Sequence, residues 1–157
     1  MSQQDLADAL EQYRTGLDTA ISLLRRLASV ASRQREGTAS RNFERLAAEA
    51  DARDELTHAL VAIEPSLRQV KAVLAKDPTA VSRLPGYADV LTLKQTAADL
   101  VAGILKTDEE SMHALADAEL ARRAAVASLE CGEATLAAYR RVLSPPLAGA
   151  SLLNLRG

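Results

Sequence analysis

Leu6, Leu10, Tyr13, Leu17, Ala20, Leu24, Leu27 and Ala31 step along the chain by four, three, four, three without a slip. An apolar heptad held this long specifies a long helix with one seam to bury, and it leaves little room for a strand. The spacing predicts a first helix from about Asp5 to Gln34. Ser2-x-x-Asp5 stands ahead of it as a capping box, and Gly37 just past its end. Glu36-Gly37-Thr38-Ala39 reads as a tight connector, so the second helix should return antiparallel, with Ser40 as its N-cap.

The same grammar continues. Leu56, Leu60, Ile63, Leu67, Val70 and Leu74 keep the four–three step. Glu49 and Arg53 occupy the two earlier seam positions, so the seam should be polar near the connector. Pro65 falls inside the pattern without shifting its phase, which favours a kink over a break, the alternative being a short second piece that starts at Pro65. Asp77-Pro78 can cap one short turn, and Leu84-Pro85-Gly86 ends it. From about Ala88 to Leu143 a single phase then runs through Val90, Leu93, Ala97, Leu100, Ile104, Thr107 and Ser111 to Tyr139 and Val142. Thr107-x-x-Glu110 could cap a separate helix, but the phase crosses it intact, which favours one helix of roughly 80 Å.

The expected fold is all-α: an antiparallel helical hairpin plus one long C-terminal helix in a coiled-coil-like bundle. Residues 1–143 make one domain, and residues 144–157, opening on Ser144-Pro145-Pro146, read as a tail, either a flexible end or a segment that folds on a partner. Alanine supplies about a fifth of the chain and aromatics only 3%, which suits helices that approach closely. A net charge of −2 gives no bulk attraction to nucleic acid or anionic lipid. One cysteine, Cys131, excludes an internal disulfide and fits a reducing compartment. No apolar run approaches a membrane span, and the polar, acidic N-terminus lacks an export signal, so a cytoplasmic setting is expected.

The last helix should extend past the hairpin, and there its seam turns to Ala, Ser and Gly. Beside that seam lies a second stripe, Met112, Leu115, Val126, Leu129, Leu136 and Leu143, which widens the apolar face to about 200°. Such a face needs two neighbours. Burying each large side chain is worth about 1.5–3 kcal/mol, so a partner is expected to cover them.

Other chemistry is weaker. Glu55-Leu-Thr-His58 and Glu110-Ser-Met-His113 have the Glu-x-x-His form of a di-iron site. Both histidines lie off the seam, however, and no glutamate occurs between Glu64 and Glu109. A phosphotransfer histidine lacks the Lys-Gly that should follow His-x-Leu. Arg25, Arg26, Arg33, Arg35, Arg41 and Arg45 make a charged tip around the first connector, without aromatics to stack on bases. Cys131 flanks the small seam with no group to lower its pKa, and reads as a packing residue. No catalytic residue, metal ligand or cofactor is predicted.

The chain resembles FlgN-type flagellar export chaperones over nearly its whole length. The resemblance is carried by Leu23-Leu24-x-x-Leu27-Ala28 with Gln34, by Arg53-x-x-Leu56-x-x-x-Leu60-x-x-Ile63-Glu64, and by Leu136-Ala-Ala-Tyr139-Arg140. Pro145-Pro146 and the closing Arg156-Gly157 are also similar. The resemblance implies a cytoplasmic chaperone without enzymatic activity. Such a chaperone holds the helical C-terminal segments of hook-filament junction proteins and delivers them to the flagellar export gate. It implies Met112, Leu115, Val126, Leu129, Leu136 and Leu143 as the client surface and Tyr139 as the gate-docking residue. The competing expectation is a structural or adaptor coiled coil whose stripe is covered by a second copy, as a homodimer.

Overall fold

A computed structural model describes residues 1–143. The expectation of a tail over residues 144–157 lies outside the described residues. There are four helices and no strand among the described residues: α1 (Gln3–Ala39), α2 (Phe43–Leu74), α3 (Pro78–Val81) and α4 (Tyr87–Leu143). The all-α class and the long C-terminal helix are as the periodicity predicts. None of these helices is long and apolar enough to cross a membrane.

All eight positions of the first heptad are buried. Ala9, Ile21 and Val30 are buried beside them, so α1 buries a double row. α2 fully buries only Leu56 and Leu74, and α4 only Val90 and Ile104. The helix with two buried rows is the one with neighbours on two sides. α1 is therefore the axis of the bundle formed by residues 1–114, which is one of two compact units of the chain; the second begins at Leu115.

Contacts along α1 give the directions. Gly16 lies against Leu67 and Arg33 against Glu49, so α2 runs antiparallel to α1. Gly16 is where the two helices come closest, because a Cβ there would stand 2.5 Å from the Leu67 side chain. Leu10 shares a cluster with Val90, and Arg35 pairs with Glu110, so α4 runs parallel to α1. One core cluster gathers Leu6, Leu10, Tyr13 and Leu17 with Leu74, Val81, Leu84 and Val90; another joins Leu24, Leu27, Val30 and Ala31 to Leu56 and Ile104.

The first connector differs from the expectation. Gly37 and Thr38 are buried inside α1, and the helix runs on to Ala39. Ser40 is its C-cap and not the N-cap of α2. Arg41 follows with φ 58, its N–H donating to the Thr38 carbonyl while that of Asn42 donates to Gly37. This is a Schellman motif with arginine at the left-handed position usually given to glycine. Asn42 then caps α2, its side chain accepting from the Arg45 N–H. The short turn is as expected, with Asp77 capping α3 and Gly86 at φ 87 before α4.

Two ambiguities resolve as continuity. α2 passes through Pro65, and α4 passes through Thr107. The Thr107 hydroxyl donates to the Gly103 carbonyl one turn back, the bond of a mid-helix threonine and not of an N-cap.

Candidate partner-binding face

The polar break in the second helix's seam acquires partners in the bundle. Arg53 makes a forked ion pair with Asp108, one nitrogen donating at 2.8 Å. The same nitrogen donates at 2.8 Å to Gln34 Oε1, so one guanidinium joins α1, α2 and α4. Its other nitrogen closes the fork. Arg33 holds Glu49 at 2.7 Å, and this keeps the Glu49 carboxyl below its ordinary pKa. The Asp108 carboxylate likewise raises Arg53 above the ordinary arginine value. This layer fixes the register of three helices through geometry that only an arginine fork provides.

Half of the arginines at the charged tip are paired. Arg33, Arg35 and Arg45 reach Glu49, Glu110 and Glu36. The pairing of Glu110 with Arg35 takes up one carboxylate of the Glu-x-x-His motifs, and His58 and His113 are exposed. No group of three metal-capable side chains forms among the described residues.

The predicted stripe falls on exposed surface throughout. Met112, near the end of the first unit, is 70% exposed. In the second unit Leu115 and Val126 are about 40% exposed, whereas Leu129, Leu136 and Leu143 reach 73%, 70% and 78%. Tyr139 is 61% exposed, and every residue from 120 to 143 is exposed. At 100° per residue Leu129, Leu136 and Leu143 lie within about 40° of one another, and Ala118, Ala125 and Gly132 fall in or beside that arc. The helix therefore presents large side chains next to a low strip on which a second helix could lie close.

In the second unit two further large aliphatic residues, Leu120 and Val142, are exposed outside the predicted stripe. Val142 was placed in the seam, and its exposure is its only further signal. Leu120 lies on the far side of the helix, where an isolated surface leucine is ordinary. Cys131 is exposed as well, which corrects the reading of it as a packing residue.

The helix is locally braced. Glu119 accepts from Arg122 at 2.9 Å and from Arg123 at 3.1 Å, and these bonds, Arg122's first, bring its carboxyl down to about 2. The pairs sit three and four residues apart, where helix side chains meet. In the first unit Ser111 carries the one orphaned buried hydroxyl among the described residues.

Comparison of the chain with models of known protein families, with curated proteins and with solved structures returns no match.

Proposed function

We propose that this chain is a cytoplasmic export chaperone of the FlgN type, which holds a helical C-terminal segment of a hook-filament junction protein on the apolar face of α4. The observation that carries this reading is the unbroken exposure of residues 120–143, with Leu129, Leu136 and Leu143 wet on one side of a helix. An amphipathic helix laid along that side would supply the missing neighbour, in the helix-in-groove mode. Alanine and Gly132 beside the leucines would let the client backbone approach and seat its own large residues.

Magnitudes favour a reversible hold. Covering five large side chains from Leu115 to Leu143 gains about 7–15 kcal/mol at about 1.5–3 kcal/mol each. Association itself costs about 4–15 kcal/mol, so the two terms are of similar size. A carrier must release its cargo, and this balance suits one. Tyr139 would stand at the end of the same helix as the contact to the export gate. The reading assigns the chain no catalytic step.

Titration calorimetry with C-terminal segments of hook-filament junction proteins tests it, with mass measured in parallel by light scattering. A saturable complex of fixed stoichiometry, formed by a monomeric chain, is expected. A stable dimer that ignores the segments would overturn the reading and identify the stripe as a self-association seam.

A further inference from the structure

Within residues 1–114, a cleft of about 220 Å³ opens where α1, the end of α2, α3 and the start of α4 meet. Its floor is apolar, built by Leu10, Leu74, Val81 and Val90, all buried. Tyr13 lines it at only 8% exposure, and its hydroxyl makes no hydrogen bond among the described residues. The ring is buried but its oxygen still reaches solvent, so the hydroxyl is free to donate to a ligand in the cleft. Burial also pushes its pKa up, so it remains a donor through neutral pH. Lys71 and Lys94 stand at the rim, both exposed and neither in an ion pair.

We infer that this cleft binds a medium-chain carboxylate, its alkyl chain against the leucine and valine floor and its carboxylate between Lys71, Lys94 and the Tyr13 hydroxyl. Each part of the ligand answers an observation. The apolar floor asks for an apolar body, and a space below the ~300–1,000 Å³ of drug-sized pockets limits it to a medium chain. The two ammonium groups and the phenol are all donors, and a carboxylate is an acceptor only. A cationic ligand would be repelled by both ammonium groups, and a polyhydroxyl one would have no apolar body for the floor. The inference does not depend on the export-chaperone reading, since no residue of the α4 stripe lines the cleft.

The test follows the amide NMR shifts of the full chain titrated with sodium octanoate, kept below micelle-forming concentrations, and separately with octylammonium. Octanoate is expected to give saturable shifts centred on residues 10–13, 71–81 and 87–94. Octylammonium should bind at least about tenfold more weakly, because charge-assisted bonds turn into repulsion. Lys71→Glu with Lys94→Glu should weaken octanoate by about tenfold or more, and Tyr13→Phe by about fivefold, with the spectrum otherwise unchanged. Equal binding of the two amphiphiles would overturn the assignment. So would unchanged affinity in either variant, or shifts centred on residues 115–143, the mark of adsorption to the exposed stripe.

Discussion

Arg53 shows how much one side chain can organise. Side chains of the Arg53–Asp108 pair are each about a quarter exposed, between the surface and buried extremes. Surface pairs contribute about 0–1 kcal/mol, and breaking a buried one costs about 3–5 kcal/mol. Arg53→Ala should therefore destabilise the chain by about 1–2 kcal/mol in urea unfolding. Arg53→Lys should recover less than half of that, since an ammonium cannot serve Gln34 and both Asp108 oxygens in one plane. Ser111 predicts the opposite sign: Ser111→Ala removes an orphaned buried hydroxyl from a helix and should stabilise by about 1 kcal/mol. The polar break at Glu49 and Arg53 was legible in the heptad. Their partners were not, because periodicity places a residue on a face and is silent about what arrives there from 16 or 55 positions away.

Among the elements, register was more legible than ends. All eight seam positions of α1 are buried, and α4 runs in one phase, because a repeat summed over many turns outweighs any local signal. The first connector was misread for a local reason. Gly37 attracts the role of helix terminator, yet the left-handed position is taken by Arg41, which bears the strain of φ 58. Arg41→Gly should relieve it and raise stability by about 0.5–1 kcal/mol, measured as a higher Tm with unchanged helicity. The brace at Glu119 sets a pH response. Its carboxyl falls from 4.5 to about 2 in the folded helix, so the stabilisation is complete above pH 4.5 and is lost as pH falls toward 2. A carbon-detected NMR titration should find Glu119 ionised at pH 3.5, where the same residue in the unfolded chain is mostly protonated.

At the scale of the whole molecule, the division of labour follows from where apolar surface is spent. Residues 1–114 bury α1 against α2 and α4, while residues 120–143 leave every side chain accessible. The width of the apolar face on α4 was visible in its sequence, whereas the identity of what covers it is not a property of one chain. Because Leu129 and Leu136 are more than two-thirds exposed, Leu129→Asp with Leu136→Asp should change stability by less than about 0.5 kcal/mol per site. On the export-chaperone reading the same pair abolishes client binding, and helicity by circular dichroism stays unchanged. The central claim, that this face is open until a partner helix covers it, is met most directly by hydrogen exchange. Amides of residues 115–143 should exchange fast in the free chain at micromolar concentration and become protected when a hook-filament junction segment is added. Protection already present in the free chain, or none gained with the segment, would contradict the account.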